Sequence, residues 1–167
     1  NGVDVMRAFD TNNTFNDHWY VESDEIFRDA SGRFVYNDCE QIGIGMGTGN
    51  NPVDVNGFNQ QRLDIDLWEG DDSITIADLG ENSTVSVLGY DGGDRMIVDS
   101  SAASSSVTLF GENGDDDFEL GAVSADLAKV MGSVIVDGGP DIDSMTLFHG
   151  NGELSPATND FLIKSNE

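Results

Sequence analysis

The sequence predicts an all-β fold, a right-handed parallel β-solenoid of about five coils of 21–27 residues behind an irregular N-terminal cap. Three observations lead there: a repeat with two short apolar alternations per unit, a Gly/Asp turn at one fixed place in each unit, and an acidic composition that still carries a core.

The repeat is read by placing Ile42, Leu63, Val85, Val107 and Val134 at one position, which aligns five segments at intervals of 21, 22, 22 and 27 residues. Two positions on, Ile44, Ile65, Val87, Leu109 and Val136 are apolar again, the alternation of a strand with one buried face. Seven positions after the start stand Gly49, Gly70, Gly92 and Gly114, with Asp141 in the fifth segment. Nine after stand Asn51, Asp72, Asp94, Asp116 and Asp143. Beyond this turn the alternation resumes in Val53 and Val55, Ile74 and Ile76, Met96 and Val98, Phe118 and Leu120, Met145 and Leu147.

One such unit cannot bury its apolar rows alone, whereas units stacked about 4.8 Å apart build a continuous core. A meander or sandwich also alternates short strands and turns at this spacing and is the competing architecture. Like turns recurring only at every second turn favour coils stacked along one edge.

The flanks differ. Residues 1–41 carry Phe9, Phe15, Trp19, Tyr20, Phe27, Phe34 and Tyr36 but do not match the repeat, and are read as an irregular β cap or hairpin region. Residues 42–160 are the repeat domain, and residues 161–167, opening with Phe161-Leu162-Ile163, the truncated start of a further coil. Open ends of a stack expose apolar surface and strand edges, so self-stacking or contact with other subunits is expected there.

Asp and Glu number 32 against 7 Lys and Arg, a formal charge of −25. Such a surface repels nucleic acid phosphates and anionic membranes and attracts cations. Hydrophobic residues make up 38% of the chain, enough to fold it rather than leave an acidic disordered tail. The single Cys39 excludes an internal disulfide and a cysteine-rich zinc site. The sequence has neither a signal-type opening nor an apolar run of about 18 residues, and reads as a mature secreted or cell-surface fragment with no membrane insertion. Asn12 and Asn82 head Asn-x-Ser/Thr sequons that accept glycans in a eukaryotic secretory route.

The turns carry the chemistry. Gly138-Gly139-Pro140-Asp141-Ile142-Asp143-Ser144-Met145 resembles the glycine-rich nonapeptide of secreted calcium-binding β-rolls, the RTX family, with Asp141 where that family has Gly. Gly111 to Phe118 and Gly89 to Met96 keep three of four diagnostic positions, and Leu67 to Ile74 fewer. The motif occurs at one turn per unit, against two in the β-rolls. The resemblance implies Ca2+ held by Asp71, Asp72, Asp94, Asp115, Asp116, Asp141 and Asp143 together with the turn glycines Gly92 and Gly114. Calcium takes six to eight oxygens at about 2.3–2.6 Å, from carboxylates and from carbonyls that glycine lets the backbone aim. The alternative is that Asp and Gly only form the turns, their side chains bonding nearby amides. In the first unit Asn51 and Pro52 stand in the turn, which is expected to bind weakly or not at all.

No catalytic site is expected. His18 and His149 have no zinc-motif spacing, and neither a nucleophile elbow nor a phosphate loop is present. Polysaccharide lyases and epimerases of β-helical type need cationic residues along a groove, but Arg62, Arg95 and Lys129 lie far apart in the repeat. The expected role is a non-catalytic, calcium-stabilised structural module, with a glycan- or partner-binding module, through Trp68 and Tyr90, as the alternative.

Overall fold

In the computed structural model, which describes residues 2–10, 13–29, 31–150 and 161–164, the chain forms two β-sheets. The first holds, in order, β1 (Val5–Phe9), β5 (Gln41–Gly45), β7 (Arg62–Asp66), β9 (Thr84–Asp91), β11 (Ser106–Asn113), β13 (Ser133–Asp137) and β15 (Phe161–Lys164). Every neighbouring pair in it is parallel. The second runs β14 (Ser144–Leu147), β12 (Asp117–Leu120), β10 (Arg95–Val98), β8 (Ser73–Ala77), β6 (Pro52–Asn56), β2 (Trp19–Val21), β3 (Glu25–Arg28) and β4 (Ser31–Val35). Its last two pairings, β2 with β3 and β3 with β4, are antiparallel.

The architecture is thus a layered β-sandwich of one parallel and one mixed sheet, which corrects the expected right-handed parallel β-solenoid of five coils. The Gly/Asp turn passes the chain from one sheet to the other, so the two apolar alternations of a unit face each other as separate layers. Residues expected as a cap also enter both layers: Val5–Phe9 pair in parallel with Gln41–Gly45, and Trp19–Val21 with Val53–Val55. They lack the Gly/Asp turn and so escape a search for the repeat. The hairpin of β3 and β4 then closes antiparallel, which identical units do not provide. Asn12 lies outside the described residues, as do 151–160 and 165–167 of the expected repeat and final segment.

Strand register follows the apolar pattern because a one-residue slip would turn every buried side chain to solvent. Leu63 pairs with Ile42 and Val85, and Ile74 with Val53 and Met96. Their side chains meet between the sheets with those of Ile65, Val87, Leu109 and Phe118 in one buried cluster. Among the described residues no helix is long and apolar enough to cross a membrane. The 27-residue interval before Val134 accommodates a short 3-10 helix, Leu127–Lys129, capped by Asp126 and anchored by buried Leu127.

Leu109 is fully buried between the layers, so Leu109→Ala should lower unfolding free energy by about 2–5 kcal/mol. Phe15, 75% exposed, should tolerate Ser within about 0.5 kcal/mol. Denaturant midpoints of the two variants check this contrast.

Candidate functional site

The turns that join β7 to β8, β9 to β10, β11 to β12 and β13 to β14 share one backbone conformation. Positive φ recurs at two places, Trp68 and Gly70, Tyr90 and Gly92, Glu112 and Gly114, Gly139 and Asp141. Three of the eight are Trp, Tyr and Glu in a region that costs an L-residue about 1–2 kcal/mol. Pairing of Tyr90 with Glu112 and Asp91 with Asn113 extends the ladder through the turn and holds them there. Glycine is required at Gly92, where φ is +140° and a Cβ would lie 1.9 Å from the Gly70 carbonyl oxygen. Successive turns thereby align a row of carbonyls, Gly49, Gly70 and Gly92, each against the next glycine's α-carbon.

Beside it runs a row of carboxyls. The Asp72 Oδ1 accepts the Asn51 amide at 2.6 Å, Asp94 Oδ1 the Asp72 amide at 2.8 Å, Asp116 Oδ1 the Asp94 amide at 2.8 Å, and Asp143 Oδ1 the Asp116 amide at 3.1 Å. Each Asp therefore caps the turn of the preceding unit. Asp72, Asp94 and Asp116 are buried, and Asp143 is half-buried.

The second oxygens of the three buried carboxyls tell more. Oδ2 of Asp72, Asp94 and Asp116 is buried and has no hydrogen-bond partner among the described residues. In the first unit Asn51 shows what that position wants. Its Oδ1 accepts the Asp17 amide at 3.2 Å, as the ladder carboxyls accept theirs. Its Nδ2 donates to the Gly47 and Gly49 carbonyls. The later units put an oxygen where the first puts a donor. Burial pushes the carboxyls of Asp72 and Asp94 up to about 7 and that of Asp116 up to about 6. The amides they cap oppose the rise, and neighbouring carboxylates, Asp94 and Asp71 on Asp72, Asp116 and Asp71 on Asp94, and Asp143, Asp115 and Asp141 on Asp116, add to it.

Of the residues expected to hold calcium, the structure thus gathers Asp72, Asp94, Asp116 and Asp143 in an inner row. Asp71, Asp115 and Asp141 form an exposed outer one. There Asp71 Oδ1 accepts the Gly93 amide at 3.1 Å, Asp115 Oδ1 the Ile142 amide at 3.0 Å, and Asp141 Oδ2 the Gly114 amide at 3.2 Å. Gly92 and Gly114 shape the turns. Among the described residues no group of three or more His, Cys, Asp or Glu is placed to hold a metal ion. What fits a cation here is one free carboxyl oxygen per buried turn beside a row of carbonyls, an all-oxygen donor set that suits calcium and not zinc.

The sequence showed glycines in the turn motif without giving them a role at the site: Leu67 stands five residues before Asp72, but Gly89, Gly111 and Gly138 hold that place before Asp94, Asp116 and Asp143. A Cβ there would lie within 2.4 Å of Oδ2 of Asp94, Asp116 and Asp143 respectively. Their recurrence at a fixed offset was the available signal. Trp68 and Tyr90 stack on each other, centroids 5.5 Å apart at 16°, so each already covers a face of the other. Arg62 and Arg95 are closed onto Asp64 and Glu119, the latter through two hydrogen bonds of 2.7 and 2.8 Å. Asn82 is an exposed turn residue with φ +60°, its amide donating to Ser104 Oγ. Comparison with family models, with curated proteins and with solved structures returns no match for this chain.

A carboxyl raised above its unfolded value near 4 keeps a proton that the unfolded chain gives up. The stability tied to that proton is complete below about pH 4 and lost as pH rises through the folded values of about 6 to 7. In chelator, Asp94→Asn keeps a donor at every pH, so its melting temperature should exceed the parent's by a margin that widens from pH 4 to pH 7.5. A margin that stays constant or shrinks over that range contradicts a neutral Asp94.

Proposed function

We propose that this chain is a non-catalytic structural module of an extracellular or cell-surface protein, its Gly/Asp turn edge neutralised by calcium. The observation that carries this reading is the row of buried Oδ2 atoms on Asp72, Asp94 and Asp116 that lack a donor. At neutral pH and above, where protons leave, a cation between turns would satisfy them together with the adjoining carbonyls. Calcium tolerates the irregular, carbonyl-rich coordination that such turns offer. The recurring positive φ at two places per turn supports the resemblance to calcium-binding β-roll turns, which rely on glycine at those places. The net charge of −25 favours cation uptake over the whole surface.

A structural role accords with where the polar groups point. The ladder Asp side chains are committed to turns of their own chain, and Arg62 and Arg95, the cations a uronate groove would need, are committed to carboxylates.

Calcium should raise the melting temperature at pH 8 relative to chelator, by an amount growing with its concentration; at one hundred times the dissociation constant the gain is about 2.7 kcal/mol. A transition unmoved by millimolar calcium overturns the calcium reading.

Asp94→Asn with Asp116→Asn should lose most of that calcium response while staying folded in chelator, because each amide supplies the donor Asn51 supplies in the first turn. Calorimetry of the double variant with and without calcium checks this, and an undiminished response moves the ion away from the inner row.

A further inference from the structure

The two sheets end unequally. Among the described residues the parallel sheet ends at β1, while the mixed sheet continues past β2, the strand that shares the first unit with β1, by two more strands. No described strand stands opposite that overhang. The consequence is visible at Phe34. It pairs with Ile26, whose side chain is fully buried in the core, and so points to the same inner side, yet it is 50% exposed.

The space under the overhang is a cleft of about 310 Å3 lined by β1, Trp19, Arg28, Gly32 and Phe34. Consecutive residues Met6 to Asp10 all line it, from both faces of β1, which is what the open edge of a strand presents. That edge is unpaired by register. The Asp4 carbonyl accepts the Gln41 amide and the Asp10 amide donates to the Gly45 carbonyl. In a parallel ladder this turns the even-numbered residues of β1 toward β5 and leaves the amides and carbonyls of Val5, Arg7 and Phe9 facing outward.

Among the described residues, two polar groups at the cleft lack partners. Trp19 is 5% exposed and its Nε1 has none, and among the described residues the Arg7 guanidinium makes no hydrogen bond or ion pair. Arg7 is one of only 7 basic residues in a chain of net charge −25. Val5, Phe9 and Phe34 add apolar surface, at 49%, 60% and 50% exposure.

We propose that this cleft binds an extended polypeptide segment of alternating apolar and acidic residues, which adds to the free edge of β1 as the strand missing opposite the overhang. Its backbone pairs with Val5, Arg7 and Phe9. Its apolar side chains enter between Met6, Trp19 and Phe34, and an acidic side chain meets Arg7. Main-chain pairing supplies affinity and the side-chain alternation supplies selectivity. Arg7 also disfavours pairing of the edge with strands of positive character.

The test uses a Trp68→Phe background, which leaves Trp19 as the only tryptophan, and a short blocked peptide alternating valine and aspartate. Saturable change in Trp19 emission is expected, weakened roughly tenfold by Arg7→Glu. Binding should vanish when alternate peptide amides are N-methylated. Val5→Pro removes one outward amide without touching the pairing to β5, and should weaken binding while leaving the melting temperature near the parent's. Absence of binding, equal binding of a peptide with lysine in place of aspartate, or indifference to both Arg7→Glu and Val5→Pro overturns the proposal. So does a self-associated species in sedimentation that the peptide fails to displace, since the edge would then belong to a second copy of the chain.

Discussion

In a parallel sheet every residue meets its counterpart one strand away at about 4.8 Å, so a turn repeated in register has to tolerate itself above and below. Apolar positions gain from this, and the buried rows of Ile, Leu and Val are the result. Glycine is indifferent to it. An ionised, buried carboxyl is penalised twice, by lost hydration and by its identical neighbours. The amide of the preceding unit relieves one oxygen of each Asp and leaves the other. Much of the turn edge can be understood as an answer to that second oxygen: glycines five residues before Asp94 and Asp116 that make room for it, and carboxyls whose burial makes them weaker acids and favours the protonated form.

The same carboxyls bear on how far function can be read from fold. A buried, like-charged row is a poor place for a substrate and a good place for a counter-ion, because it offers strong potential and little space. The N-terminal end has the opposite character: an open strand edge, aromatic walls and, in Arg7, a cation without a partner among the described residues. One edge of the sandwich is closed around its own carboxyls, and one end leaves an open cleft.

Much of this was legible in the sequence. The apolar alternation marked strands from Gln41 onward, and residues placed at one position, such as Val85 and Val107, are cross-strand neighbours. The separation into two layers was not legible, because alternation fixes which side chains are buried but not whether the facing surface belongs to the same sheet. Val5–Phe9 was missed because it pairs through backbone and burial alone, without turn chemistry to announce it, whereas Trp19–Val21 fell in the expected hairpin region but its parallel pairing with Val53–Val55 was not foreseen. The turn Asp residues were recognised, yet the sequence could not show that each spends one oxygen on a neighbour's amide. That fact divides Asp72, Asp94 and Asp116 from the exposed Asp71, Asp115 and Asp141.

Asn51, which the sequence marked only as a weak turn, sets the length of the carboxyl row. Mutual repulsion in a line of like charges rises with every member added, and each interior member feels neighbours on both sides. An uncharged, isosteric amide at one end stops that accumulation while keeping the backbone pattern intact, since Asn51 both accepts the Asp17 amide and donates to its own turn. The row therefore has an electrostatic terminus as well as a structural one: the units beyond it toward the N-terminus are freed from the turn rule, and the chain there departs from the repeat.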